Sequence, residues 1–556
     1  MRNLKFIASL FFLITTGLAK STSAAVNTSQ NHLIIYHMDF NSVSLREDYI
    51  KTTLKRASDM GYNAVLWEIE DDVKWEICPE SSSPDAFSKE TFKNILRYSR
   101  DLGLEPIPLL QTIGHAEYVL MNEKYLMFRE DPKRYDCYCT SNARVRQFIK
   151  SWIKEYLNLF GDVRYFHLGG DEANVFATCA VCSKKAREIG RNRLYAEYLT
   201  DIASPLLEKG IRPGIWCDMI LHNPKDLEVV QKDFIIWDWN YWDGDKMPQR
   251  VMVWNKMKRL KKDEISLADL ESMPEIIDGA GNLKPFYTVD ILKKSGFDII
   301  LCSSSRSHGD AVFAGRQDVH APNIIGAAKK TVEEGLLGTC VTSWAVRVHN
   351  HETQQPWLYL APLTIKNHTL LSDQLYALCS EYFFGVKNKE IFDAFSLIGF
   401  PFPFADQLST GIMWTGMKDS KPVPKNYLTD LMNKWKSGNG TQWQENKKII
   451  QEASGKINLG INLLNVFMLK ATNGFEILNA WSKAGYHQYW RAVIANKIVL
   501  REQGKCSSIN EQIITLLGLL ETDYLNWASS WMTPGSAKQN TGLIFDAFTD
   551  YFTSKN

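Results

Sequence analysis

Two adjacent acids, Asp171 and Glu172, close the stretch Tyr165–Glu172, which reads Y-F-H-L-G-G-D-E. An apolar run passes into two glycines and then into the carboxylates. Adjacent residues on a regular strand point to opposite faces, so both acids serve one site only if the strand ends here. The glycines permit that bend and a close ligand approach. Two neighbouring carboxyl groups split their proton affinities, which leaves one able to act as an acid near neutral pH. The competing reading is a helix N-terminus, where acids favour the dipole.

The elements that must position this pair follow a regular alternation. Short apolar runs occur at Leu33–Phe40, Asn63–Glu70, Leu104–Gln111, Tyr165–Gly169, Arg212–Asp218, Phe234–Trp239, Asp298–Ser303 and Gly338–Trp344. Amphipathic stretches such as Leu45–Met60, Phe92–Leu102, Val145–Phe160 and Asn192–Lys209 lie between them. Alternation of this kind calls for a parallel sheet, and eight units call for closure. The expected fold is α/β, a (β/α)8 TIM barrel over residues 31–365. A doubly wound open sheet is the alternative, but no glycine-rich phosphate fingerprint follows the first run. Residues 245–290 read as a long polar connection over the active face. Beyond residue 365 helical periodicity dominates, in Ser372–Phe384, Asn426–Trp435, Gln444–Ala471, Gly474–Gln503 and Asn510–Trp527, so 366–556 is expected to be an all-helical C-terminal domain.

An active site in such a barrel lies at the C-terminal ends of the strands. Those ends carry His37 and Asp39; Glu68 and Glu70; Gln111, His115 and Glu117; Asp171 and Glu172; Trp216 and Asp218; Trp237, Trp239 and Tyr241; Arg306 and His308; Trp344 and Arg347. Carboxylates, histidine and tryptophan converging from many strands suit acid–base cleavage of a carbohydrate better than phosphate or hydride chemistry. Seventeen tryptophans fit a protein that stacks sugar C–H faces on rings, although core packing accounts for most of them. The formal net charge of +1, without basic runs, gives no electrostatic surface for nucleic acid.

The motif H-L-G-G-D-E at 167–172 resembles the signature of glycoside hydrolase family 20, the β-N-acetylhexosaminidases. Q-T-I-G-H-A-E at 111–117, W-C-D-M at 216–219, W-D-W-N-Y-W-D at 237–243 and T-S-W at 342–344 support it. H-M-D at 37–39 and G-Y-N-A-V-L-W-E-I-E-D at 61–71 are most similar to the hexosaminidase D-like branch. The resemblance implies a retaining, substrate-assisted mechanism without cofactor, an exception to the two-carboxylate scheme. Glu172 would be the acid and base, and Asp171 would orient the substrate's 2-acetamido group, which is the nucleophile. Trp216, Trp237 and Trp344 would wall the acetamido pocket beside Trp239. Tyr241 would bond the acetamido oxygen, His115 would tune the acids, and Asp218 would complete the substrate-binding set.

Two positions depart from the family pattern. Ser42 stands where many members carry an arginine that holds sugar hydroxyls, and Val346 where many carry a glutamate. Asp39, Glu70 and Arg347 are the candidate substitutes, and the choice between gluco and galacto configuration stays open. Two alternatives remain beside the leading reading. One is a two-carboxylate retaining barrel glycosidase with Glu70 or Asp218 as nucleophile. The other is a catalytically silent sugar-binding barrel.

Four of ten cysteines form C-Y-C at 137–139 and C-A-V-C at 179–182. Cys137, Cys139, Cys179 and Cys182 read as a structural zinc site or, in an exported chain, as disulfides. Export is expected from residues 1–25, where a basic start, an apolar run and small residues follow the order of a secretory signal. No other stretch reaches membrane length. The expected partner is a glycan containing N-acetylhexosamine, and the sequence does not set the oligomeric state.

Overall fold

The computed structural model describes residues 32–41, 43–344, 350–405, 425–505 and 510–554. The expected signal at 1–25, Ser42, Val346, Arg347 and Cys506 lie outside them.

All eight expected strands form. They are β1 (Leu33–Asp39), β2 (Ala64–Glu68), β3 (Glu105–Leu109), β4 (Tyr165–His167), β5 (Arg212–Trp216), β6 (Ile235–Trp239), then, after a two-stranded hairpin β7 (Val251–Val253) and β8 (Lys258–Leu260), β9 (Ile299–Arg306) and β10 (Gly338–Ser343). The eight long-range strands pair in parallel and close into a barrel in the order β1-β10-β9-β6-β5-β4-β3-β2. Helices cover their outer faces, so the strands are buried on both sides and read as near-continuous apolar runs.

β3 shows how sequence sets local pairing. Pro106 and Pro108 occupy alternate positions and lack the N–H that a neighbour would accept. The intervening residues bond β2 in full register from Ala64↔Glu105 to Glu68↔Leu109. Towards β4 only Leu109↔His167 is in register, completed by Leu110 N donating to the His167 carbonyl at 3.0 Å. The prolines therefore leave the β3–β4 seam thin just below the acid loop.

The 245–290 connection is more ordered than a polar loop. It contains the antiparallel β7–β8 hairpin and a short helix, Leu267–Ser272. Ser266 caps that helix by accepting from Asp269 N, and the Asp269 carboxylate reciprocates on Ser266 N. The polar side chains that make the segment look irregular are spent on these turns. Its buried Trp254 packs edge-on against Trp239 at 4.8 Å, so the insertion braces the active face.

Every helix expected beyond residue 365 is present, and two more appear among the described residues, Glu390–Ile398 and Pro534–Thr553. The last starts with Thr533 as N-cap and Pro534 in the first turn, a start signal that also reads as a turn. These helices and the barrel form one compact body from His32 onward. Contact is made on loops that follow strands. Ser44 and Arg46, just beyond β1, exchange backbone bonds with Thr533 and Trp531, each at 2.9 Å, and Val312, beyond β9, donates to Ala405 at 2.9 Å. The helical region thus braces the loops beyond β1 and β9 at the mouth of the barrel. No described helix is long and apolar enough to cross a membrane.

Candidate active site

The acid pair sits where β4 breaks off. After His167 the chain remains tied to β5 by Leu168 N bonding Gly214 O at 2.8 Å and by Gly169 O accepting from Trp216 N at 3.2 Å. Gly169 and Gly170, with φ of +62° and +93°, then turn it out of the sheet. A Cβ on Gly170 would lie 2.5 Å from the Tyr195 hydroxyl, the same hydroxyl that donates to Gly170 O at 2.8 Å. The loop after β3 presses equally close, since a Cβ on Gly114 would lie 2.2 Å from Asp171 O. Only glycine fits these contacts.

Three residues that could have avoided left-handed backbone nevertheless adopt it: Glu70 (φ +34°), His115 (φ +52°) and Glu172 (φ +43°). Each conformation costs about 1–3 kcal/mol and persists only when the surroundings over-determine it. All three lie beyond the ends of β2, β3 and β4, among the polar side chains of the site; Ala177, Met257, Phe286, Phe404 and Asn426 share a positive φ elsewhere.

His115 Nε2 joins the acids, 3.3 Å from Asp171 Oδ2 and 3.5 Å from Glu172 Oε2. Burial works against an imidazolium, yet the charge of Asp171 and hydrogen bonds to both acids outweigh it and hold the His115 pKa well above its ordinary value. The bond from His115 in turn holds Glu172 below the usual carboxylate range, against the effect of burial. The two acids are not equivalent. Asp171 is 7% exposed and its Oδ1 is buried without a hydrogen-bond partner, whereas the Glu172 side chain is 42% exposed. One carboxylate is built into the wall and the other faces the opening.

Asp218 is fully buried behind the acid loop. Its Oδ2 accepts from Glu172 N at 2.9 Å and its Oδ1 from Trp239 Nε1 at 3.4 Å. Desolvation and the charge of Asp171 push its pKa up to about 8. Both oxygens are engaged and neither is open to an anomeric carbon, so Asp218 is a positioning residue for Glu172. That geometry speaks against Asp218 as the nucleophile of a two-carboxylate mechanism.

The aromatic wall assembles on the neighbouring strands β5 and β6 and just beyond β10. Alternation along β6 sends Trp237 and Trp239 to one face and Asp238 to the other, where it accepts from Thr288 Oγ1 at 2.6 Å. Trp216 packs 6.0 Å from Trp237 and 5.9 Å from Trp344, with His167 4.3 Å from Trp216. His167 accepts from Gly169 N at 2.9 Å through Nδ1, and burial holds it neutral. Trp216 and Trp237 are essentially inaccessible, and Trp344 is half-buried. Tyr241 orients Trp344 by accepting from its Nε1 at 3.0 Å.

Asp39 and Glu70 lie beside this wall on β1 and beyond β2. Asp39 Oδ1 accepts from Asn41 N at 2.7 Å, and Glu70 Oε1 from Asn41 Nδ2 at 3.4 Å. Burial and the charges of Glu68 and Asp39 raise Glu70 well above the carboxylate range. Beneath them Glu68 bonds His37 Nε2 at 3.0 Å and Gln111 Nε2 at 2.8 Å, a buried network that sequence reasoning placed only as strand-end polarity. Arg306, likewise visible in sequence only as a strand-end residue, is 3% exposed and feels the charge of Asp39. It reaches this position because a bulge between Thr342 and Ser343 pairs Ser343 with Arg306 one residue out of step.

The cysteine expectation needs one correction. Cys139, Cys179 and Cys182 converge with Glu130, not with Cys137. The segment 128–130 runs antiparallel beside 137–139, with Glu130 N bonding Cys137 O at 2.9 Å and Cys139 N bonding Phe128 O at 2.8 Å. This brings Glu130 to the thiols, while the buried Cys137 sets its Sγ 3.5 Å from Tyr138 O. The described cysteines are free thiols.

Residues 45–257 match the family described as Glycosyl hydrolase family 20, catalytic domain. A lacto-N-biosidase of Bifidobacterium bifidum is 25% identical over 224 residues, which is 38% of this chain and 19% of that protein. Hexosaminidase D of Bos taurus is 24% identical over 197 residues, 34% of this chain and 57% of the relative. Human hexosaminidase D is 24% identical over 200 residues, 34% and 40% of the two chains. The chain therefore spans less than two thirds of the length of these relatives. Among solved structures, a β-N-acetylhexosaminidase of Streptomyces coelicolor superposes with a TM-score of 0.44 at 13% identity, covering 63% of this chain and 68% of its own. A chitobiase of Flavobacterium johnsoniae gives 0.43 at 14% identity, covering 92% and 77%. The family match spans the part of the chain from before β2 through β7, the part that carries His115, Asp171 and Glu172.

Proposed function

We propose that this chain is a family 20 glycoside hydrolase, an exo-acting β-N-acetylhexosaminidase that removes terminal N-acetylglucosamine or N-acetylgalactosamine with retention. The observation that carries the reading is the unequal acid pair on His115. Asp171 offers a buried, unpartnered Oδ1 that suits an acetamido N–H, and Glu172 faces the opening. In the first step the C1–O bond breaks as Glu172 passes its proton to the leaving oxygen, and the acetamido carbonyl oxygen bonds C1. The resulting oxazolinium carries its charge near nitrogen, where Asp171 balances it. In the second step Glu172 takes a proton from water, the water oxygen bonds C1, and the ring opens to restore the acetamide.

The bond from His115 favours the ionised form of Glu172, so binding must draw its proton in. A sugar that covers its exposed face removes water and favours the neutral acid. The His115 imidazolium, 3.5 Å away, is the nearest proton reserve. Half-buried Trp344, backed by the buried Trp216, offers the acetamido methyl an apolar wall. The names of the relatives, hexosaminidase D and lacto-N-biosidase, support this substrate class.

A panel of β-linked aryl glycosides tests the proposal. Hydrolysis of the N-acetylglucosaminide or the N-acetylgalactosaminide is expected, with the plain glucoside inert and with inhibition by a thiazoline mimic of the oxazolinium. Failure on both acetamido substrates would sink the enzyme reading, and a rapidly cleaved glucoside with no thiazoline inhibition would favour two carboxylates. The N-terminal segment is read as an export signal, which sequencing the mature N-terminus from an expressing cell checks.

A further inference from the structure

The cysteine cluster lies outside the acid site and goes beyond the function proposed above. Cys139 comes from the long loop after β3. Cys179 and Cys182 come from the segment after Glu172, at the start of the helix Ala180–Ile189. Cys139 Sγ lies 3.7 Å from Cys179 Sγ and 3.7 Å from Cys182 Sγ. Four ligand atoms, these three sulfurs and a Glu130 oxygen, fall within 4.8 Å of one another.

We propose that Cys139, Cys179, Cys182 and Glu130 bind a structural zinc ion. With Zn–S bonds of about 2.3 Å, a tetrahedron has S···S edges of about 3.8 Å, the spacing seen here. A disulfide needs sulfurs at about 2.05 Å, so the thiols are arranged around a centre and not along a bond. The backbone fixes two of them in place. Cys179 is the N-cap and its sulfur accepts from Cys182 N at 3.3 Å, and both sulfurs lie in the first turn, where the helix dipole favours negative charge.

Glu130 gives the second, independent observation. It is 2% exposed. Its Oε1 accepts from Cys179 N at 2.9 Å, which aims the carboxylate at the thiols, and its Oε2 is buried with no hydrogen-bond partner. The neighbouring cation, Arg191, directs Nη1 to Phe176 O at 2.8 Å and its guanidinium over the Phe176 ring. A carboxylate buried among thiols is costly unless a cation shares the site. Three thiolates with one carboxylate select a thiophilic ion over magnesium or calcium. On binding, each thiol releases its proton to solvent as its Zn–S bond forms, so no oxidant or reductant is required. The ion joins the loop after β3, which carries His115, to the loop that carries Glu172.

The test is the metal content of the full chain, purified without chelators from zinc-supplemented medium. About one zinc per chain is expected. C137S keeps it, and C139S and C182S lose it. E130Q holds it about tenfold more weakly or worse against a competing chelator. Should the serine variants fold poorly, titrating the parent with a thiol reagent and a coloured zinc indicator gives the same answer, since zinc release must track modification of three thiols. Substoichiometric metal in the parent overturns the proposal. So does full zinc in C139S, loss of zinc in C137S, or a Cys139 disulfide to Cys179 or Cys182 in non-reducing peptide maps.

Discussion

Glu70, His115 and Glu172 hold left-handed backbone, and the loops that carry His115 and Glu172 press to within a Cβ's width of each other. Trp216 and Trp237, by contrast, stand on regular strands, with Trp344 directly after one, and are placed by ring contacts of 5.9 and 6.0 Å. The acid side is positioned by local strain that only a few residue types tolerate. The aromatic side is positioned by packing that many side chains could approximate. Damage to the acid side should therefore appear in kcat, and damage to the aromatic side in KM.

The largest effect tests the division within the acid side. E172Q removes the transferable proton and should lower kcat on an aryl N-acetylhexosaminide by roughly 10²–10⁴-fold. D171N keeps the shape but withdraws charge from the oxazolinium, with an expected loss of roughly 10²–10³-fold. Steady-state kinetics on both variants decide the matter. If D171N raised KM alone, Asp171 would be a binding residue only and the unequal-role argument would fail.

Next in size is the backbone itself. G170A places a methyl 2.5 Å from the Tyr195 hydroxyl at a φ of +93°, a combined strain and clash of about 3 kcal/mol. Gly210 also holds positive φ, +69°, but a methyl there would meet nothing within 4 Å, so G210A should cost only about 1 kcal/mol. Denaturant melts of the pair separate strain from crowding. G170A should also depress kcat while G210A leaves it intact. Equal stability losses would show that the acid loop is not held by close contact.

How much of this the chain itself reveals follows the same division. All eight barrel strands are visible because each is a short apolar run, and the acid pair because two glycines precede it. The role of Asp218 is invisible, since its bond to Glu172 N joins residues 46 positions apart. The placement of Arg306 is hidden for another reason: it depends on a bulge, and a one-residue shift leaves no mark in composition. Glu130 escapes notice because an acid in a polar loop looks like ordinary surface, and only the pairing of 128–130 with 137–139 buries it. The left-handed φ values at Glu70, His115 and Glu172 are equally silent, because nothing about those residue types announces strain.

His115 links the acids electrostatically, and its removal should shift pH profiles more than it slows the reaction. The imidazolium lowers the Glu172 pKa, so H115Q lets that pKa rise. The acidic limb of the kcat profile, which needs ionised Glu172 for water attack, should move to higher pH. Stability gives the complementary sign. The folded-state pKa of His115 is raised, so its stabilising contribution is complete below the unfolded value of about 6.5 and is lost as pH rises through the folded value. The melting-temperature gap between parent and H115Q should narrow as the pH increases. A gap that widened would place the proton elsewhere.

The smallest effect probes the aromatic side. W344F keeps a ring beside His37, 4.8 Å away in the parent, but deletes the Nε1 bond to the Tyr241 hydroxyl at 3.0 Å. A net hydrogen bond is worth about 1 kcal/mol, so KM should rise roughly fivefold with kcat nearly unchanged. Y241F removes the same bond from the other end, and if the bond is the whole cause, the double variant should be no worse than either single one. Additive losses would instead mean that Trp344 and Tyr241 meet the sugar independently. A fall in kcat in W344F would show that the wall helps to align the acetamido group for attack, and the contrast between strained acids and packed aromatics would give way to one coupled site.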